Sequence, residues 1–194
     1  MSIQERRERE FRRRSQLILD AARTLAEAEG WGAVTTRRIA EEIEYSQPVL
    51  YSHYQGREAI ISAVALQGFE RLSGILRKAR TRTAEPAAAL RHVVDAYLDL
   101  ARTEPALYSA MFELSSPLSF ASEDTPPALV ETFAEVISAV AALPGKRDVE
   151  LTAEFIWGAL HGMVLLARDK RLRPGLEEQR VELLMECVIP PEAH

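Results

Sequence analysis

The chain has 194 residues, 47% of them hydrophobic, a net charge of −5 and a single cysteine. That is enough apolar material for a sizeable core in one large or two small domains, and too much for a disordered chain. One cysteine excludes an internal disulfide and brings no metal cluster with it, so Cys187 is expected to be a small buried hydrophobe and no metal or cofactor is expected; no apolar run approaches the roughly 20 residues of a bilayer span.

Charge is unevenly spread. Residues 1–14 hold six arginines against three glutamates, a net of +3, while the other 180 residues carry 18 basic and 26 acidic side chains, a net of −8. A basic arm thus precedes an acidic body. The arm has no apolar h-region, which makes a cytoplasmic protein without a membrane partner the expectation. It reads either as a solvated helix start or as a segment that gains counterion-release free energy beside a duplex.

Strand signals are poor, and apolar residues recur at helical spacing nearly throughout, predicting an all-α fold of about nine helices. Leu17, Ile18, Ala21, Ala22 and Leu25 draw the apolar stripe of a first helix that should stop at Gly30. Thr35 or Thr36 can cap a short second helix with Ile39, Ala40 and Ile43 inward. A turn at about Glu44-Tyr45 leads to a third helix, with Ser46 as N-cap and Pro48 in its first turn. Leu50 and Tyr54, four apart, would pin that helix to the first two. Two short helices across one tight turn are the layout of a helix-turn-helix.

Packing does not account for the outward side of the third helix, Gln47, Pro48, Val49, Tyr51, Ser52 and His53. Gln bonds adenine bidentately, Val and Pro offer apolar surface to a thymine methyl, and Tyr and His donate to phosphate oxygens. Arg37 could reach guanine O6 and N7, while Thr36 and Arg57 can hold backbone phosphates near two helix N-termini. Each side chain alone also has an ordinary reading: half-buried packing for Tyr51, a solvated surface for His53, a charged helix face for Arg37 and Arg38. In register, the set is far more specific.

Thr35-Thr36-Arg37-Arg38-Ile39-Ala40 with Gln47-Pro48-Val49-Leu50-Tyr51-Ser52-His53-Tyr54 resembles the DNA-binding domain of TetR/AcrR-family transcriptional regulators over roughly residues 14–66. The resemblance implies a DNA-binding domain over 1–57 and a helical dimerisation and ligand domain over 58–194. It implies phosphate contact at Thr36, base reading at Arg37, base contacts at Gln47, Pro48 and Val49, and backbone clamps at Tyr51, His53 and Arg57. The chain departs from the family pattern in three places: Glu44 stands where the turn usually has Gly, Arg57 replaces a lysine, and Ser52 replaces a bulky aromatic.

A fourth helix is expected from about Arg57 to Arg80, with Ile60, Ile61, Val64, Ala65 and Phe69 inward. Thr83-Ala84-Glu85-Pro86 opens a fifth through Arg102 and Thr103-Glu104-Pro105 a sixth. Ser115 to Pro127 reads as a loop before a seventh helix ending near Leu143-Pro144-Gly145, with an eighth from about Asp148 to Asp169 and a ninth from about Leu176 to Val188.

The eighth helix carries two apolar stripes: Val149, Ala153, Ile156, Trp157, Leu160 and Val164, and opposite them Phe155, Ala159, Gly162, Met163 and Leu166. An exposed helix of a monomer would not look like this. A dimer interface is expected through Ala153, Ile156, Leu160 and Val164 with Val181, Leu184 and Met185 of the ninth helix, forming a four-helix bundle from two copies. A central helix in a monomer core is the alternative.

Trp157-Gly158-Ala159-Leu160-His161-Gly162 resembles the signature of a WHG-type C-terminal domain of some TetR-family regulators. His92, Tyr97, Tyr108, Met111, Phe112, Trp157 and His161 could line a cavity for a small-molecule inducer, or be plain core. The expectation is a homodimeric repressor that binds double-stranded operator DNA and is released by an inducer. An enzyme using His92 or His161 as a base is the competing class, but the sequence has no Gly-x-Ser-x-Gly elbow, phosphate loop or His-Glu-x-x-His pair.

Overall fold

The computed structural model describes residues 2–114 and 125–189. Among them the regular elements are nine α-helices and one 3-10 turn, without a strand, so the chain is all-α. In order they are α1 (Ile3–Glu29), the 3-10 turn (Trp31–Ala33), α2 (Thr36–Glu42), α3 (Gln47–His53), α4 (Arg57–Arg80), α5 (Pro86–Thr103), α6 (Pro105–Phe112), α7 (Pro127–Ala141), α8 (Val149–Arg168) and α9 (Glu177–Val188). Of the expected loop from Ser115, residues 115–124 lie outside the described residues.

The helices fall into two compact units. The first holds residues 2–68 and 104–114, namely α1 to α3, α4 as far as Gly68, and α6; the second holds the rest of α4, α5, α7, α8 and α9. The boundary expected at residue 57 therefore does not coincide with the compact units, because α6 packs on α1.

In the first unit, α1 opens on a capping box: Ser2 Oγ accepts the Glu5 amide at 3.1 Å while the Glu5 carboxylate accepts the Ser2 amide at 2.7 Å. Its Ile18, Ala21, Ala22 and Leu25 are buried, and it stops at Gly30, whose φ of 80° suits glycine. Leu17, expected in that stripe, is 39% exposed, since one residue is a 100° step and carries it off the face its neighbours define. Two side chains of this region hold α6. The Glu27 carboxylate accepts the amides of Ala106 and Leu107 at 3.1 Å, satisfying otherwise orphaned N–H groups at the positive end of the helix dipole. Trp31 Nε1 donates to the Ala106 carbonyl at 2.7 Å. Gly68 lets α4 meet α6 closely, since a Cβ there would lie 2.6 Å from Met111 Sδ.

In the second unit, α8 starts at Asp148, whose side chain accepts the Leu151 amide at 3.0 Å. Buried Glu135 on α7 accepts from Arg77 Nε at 2.8 Å and Arg80 Nε at 2.9 Å, joining α7 to the end of α4 through a desolvated carboxylate with two cations. The Glu135 bonds hold the Arg77 pKa above its ordinary value. Thr132 is buried and donates to the Phe69 carbonyl at 2.9 Å.

Three expectations are corrected here. Ala153, Ile156 and Leu160 on α8, with Val181 and Leu184 on α9, are at most 5% exposed, so the core of their own chain has already removed them from water and they cannot form an interface between copies. Val164 and Met185 are half-buried. The outward apolar side chains are instead Leu151, Phe155 and Leu166 on α8 and Leu183 on α9. Cys187 is exposed, because α9 buries Val181, Leu184 and Val188, whose spacing leaves position 187 off the inward face. By length and composition, α4 and α8 are both long and apolar enough to cross a bilayer. For α4 that apolar content includes Ile60, Ile61, Val64, Ala65, Leu72 and Leu76, all buried in the fold.

Candidate nucleic-acid interface

Thr35 rather than Thr36 caps α2: its hydroxyl accepts the Arg38 amide at 3.2 Å. Ile39 and Ala40 are buried, which turns Arg37 outward. Beyond α2 the chain reverses at Glu44 with φ 56°. The Tyr45 amide donates to the Ala40 carbonyl at 2.9 Å and the Glu44 amide to the Glu41 carbonyl at 3.3 Å. This pair of bonds is a Schellman motif, so a glutamate adopts the left-handed turn that glycine would supply.

Ser46 occupies the N-cap position of α3 with extended backbone but makes no side-chain capping bond, and Pro48 sits in the first turn as expected. Leu50, fully buried, is the inward anchor, and Tyr54 beyond the helix end is half-buried. Around that anchor Gln47, Pro48, Tyr51 and Ser52 are exposed and Val49 half-exposed, whereas His53, expected in the same outward set, is turned against α1. Thr36 Oγ1 lies 3.5 Å from the Tyr51 hydroxyl, which brings the two helices' candidate phosphate ligands together. The Ser52 hydroxyl donates to the Val49 carbonyl at 2.6 Å and is turned back onto its own helix.

The arginines divide by environment. Arg37 is exposed and pairs with Glu41 one turn on, at 2.8 Å. Arg38 forks onto the Glu29 carboxylate at 2.8 and 2.6 Å and reaches the Ala33 carbonyl at 3.3 Å, tying α2 to the end of α1. Arg57 donates to the carbonyls of Val34 and Trp31, each at 2.9 Å, and to Glu58 at 2.9 Å. Arg57 thereby braces the loop before α2.

His53 is half-buried, with Nδ1 2.8 Å from Ser15 Oγ and its ring stacked on Phe11 at 4.2 Å between centroids. Burial first, and the nearby Arg14 cation second, push its pKa below the ordinary histidine value. Burial raises the Tyr54 hydroxyl, with a bond from Ser15 pulling the other way. The Arg14 guanidinium stands 5.9 Å from the Tyr45 ring centroid, over its face. Sequence reasoning missed Phe11, Arg14 and Ser15 as neighbours of the third helix; the one available signal was Phe11, an aromatic one helical face from Ser15 in an otherwise charged run.

The residues proposed to line a cavity divide between the units. Tyr97, His92, Trp157 and His161 belong to the second, where Tyr97 is buried and the Trp157 ring lies 5.8 Å from Phe133. Tyr108, Met111 and Phe112 belong to the first, with Tyr108 and Met111 buried and the Tyr108 and Phe112 rings 4.8 Å apart. His92 Nδ1 is buried and has no hydrogen-bond partner among the described residues.

Comparison with known proteins agrees with this head. Residues 18–64 match the model of bacterial regulatory proteins of the tetR family, and residues 90–188 match the tetracyclin repressor-like C-terminal domain. The HTH-type transcriptional regulator Rv0681 of Mycobacterium tuberculosis is 29% identical over 151 residues, 77% of this chain and 67% of the relative. Among solved structures, a protein of unknown function from Rhodococcus sp. RHA1 has a TM-score of 0.77 at 20% identity, covering 90% of this chain and 92% of its own. The regulator FadR of Bacillus subtilis, solved with stearoyl-CoA, has a TM-score of 0.69 at 16% identity over 88% of this chain and 97% of its own. With a helix-turn-helix whose second helix bares one polar face, and family matches in both halves, this chain belongs to the TetR family of DNA-binding transcriptional regulators.

Proposed function

We propose that this chain is a cytoplasmic, homodimeric repressor whose α3 reads operator DNA and which a small apolar molecule releases. The observation that carries the reading is the face of α3: Leu50 is buried while Gln47, Pro48, Tyr51 and Ser52 stand in solvent. Gln47, Pro48 and Val49 contact base edges, with Arg37 reading a further base from α2. Thr36 and Tyr51 grip phosphate together, and His53 and Arg57 buttress the helix that does the reading.

A second copy is supported by the outward stripe Leu151, Phe155 and Leu166 on α8, where the small residues Gly158, Ala159 and Gly162 permit close helix approach. One recognition helix reads too few base pairs for genomic specificity, and two related by symmetry suffice. The stearoyl-CoA held by the FadR neighbour makes an acyl chain the first inducer class to test. An inducer acts by binding one conformer better than the other and so shifting their populations.

Anisotropy titration of duplex DNA from upstream of the chain's own gene tests the assignment of roles. Tyr51→Phe should weaken binding to all sequences alike, and Arg37→Ala should cost about 1–3 kcal/mol at one base pair and relax preference there. Equal losses on operator and scrambled duplex from both variants would contradict it.

A further inference from the structure

The arginine-rich segment before Ser15 is more than a solvated tail, because it is ordered and tied to the recognition helix. It forms the first turns of α1, begun by the Ser2–Glu5 capping box and stitched by Gln4 to Glu8, Arg12 Nε to the Glu8 carbonyl, and Arg13 and Arg14 to Glu10. Three contacts set its register against α3 and the turn before it: the Phe11 ring on His53, the Ser15 hydroxyl on His53 Nδ1, and the Arg14 guanidinium over Tyr45. Arg7 lies one turn before Phe11 on the same helical face.

We propose that the N-terminal turns of α1 are an arginine rail that holds DNA phosphates flanking the base pairs read by α3. This rests on the reading of α3 as the recognition helix. Between Phe11 and Ile3 the helix rises about 12 Å, a length comparable with about three phosphate spacings of one DNA strand at roughly 3.4 Å of axis each. Charge complementarity selects this partner: the rail carries a net +3 on a chain of net −5, whose other 180 residues together carry −8. Because the helix is already formed, ordering it on DNA costs little conformational entropy. Glu10 is held by Arg13 and Arg14 within the rail, and six arginines against three glutamates keep the segment cationic. Phosphate contacts carry no sequence information, so the rail adds affinity and salt dependence without altering base preference.

The test compares the intact chain with its R6A/R7A/R12A and R6K/R7K/R12K variants. Each is titrated against a 40-bp duplex from upstream of its gene and a scrambled duplex of the same composition, between about 50 and 200 mM KCl, with far-UV circular dichroism to check helicity. The alanine variant should keep its helicity, since Ala is the strongest helix former. Its log K against log[salt] slope should be shallower by about 1–3 on both duplexes, at roughly 0.9 per lost phosphate contact, and the lysine variant should restore most of it. Alanine and intact slopes that coincide, while the upstream duplex is still preferred, would overturn the rail and leave the reading of α3 standing. Failure of the intact chain to bind either duplex would overturn both.

Discussion

Glu44 carries a φ of 56° in the turn between α2 and α3. A side chain costs about 1–2 kcal/mol in the left-handed region, and the Schellman bonds from Tyr45 and Glu44 keep the turn there regardless. Glu44→Gly removes the strain but gives the unfolded chain more freedom; the net expectation is a gain of about 0.5–1 kcal/mol in denaturant midpoint analysis, with no stability gain contradicting the strain. His53 makes a second prediction. Its folded pKa lies below the ordinary value because burial and Arg14 disfavour the imidazolium, so its contribution to stability is present above the ordinary histidine pKa and lost as pH falls through the folded one. The melting-temperature advantage of the intact chain over His53→Asn should therefore shrink between pH 7.5 and 5. A constant difference would mean that the stack on Phe11 tolerates the charged ring.

Among the elements, α8 tests the proposed homodimer. Phe155→Glu with Leu166→Glu places two carboxylates on side chains that are 54% and 40% exposed in one chain, so the fold should survive while sedimentation shifts from dimer to monomer. Ile156→Ala, on the opposite face, should cost about 2–5 kcal/mol of stability because it opens a cavity in the core. A dimer unaffected by the double charge would place the interface elsewhere. The two apolar stripes of α8 were legible in the sequence, but which of them faces inward was not. Periodicity gives the angle between stripes; only the packing of α8 on α5 and α7 decides which is buried. The helix ends were readable because Gly30, Thr35, Pro86, Pro105 and Asp148 act through local backbone chemistry. The Glu27 and Trp31 bonds to α6 span 75 to 80 residues and left no local trace.

For the whole molecule, the outward face of α3 was readable because an inward Leu50 and its exposed neighbours follow from helical spacing alone, whereas the allotment of α6 to the first compact unit follows from tertiary contacts. Arg57 shows the same divide: its charge suggested a phosphate clamp, and its position sets it on the carbonyls of Trp31 and Val34. The proposed function requires two copies of α3 to meet one stretch of duplex. Footprinting the intact chain on DNA upstream of its own gene examines this most directly. The expected result is a protected inverted repeat with half-site centres about 10 bp, or a multiple of it, apart, abolished by Gln47→Ala with Tyr51→Ala while the fold is retained. Protection without two-fold symmetry, or a footprint that survives loss of those two side chains, would contradict it.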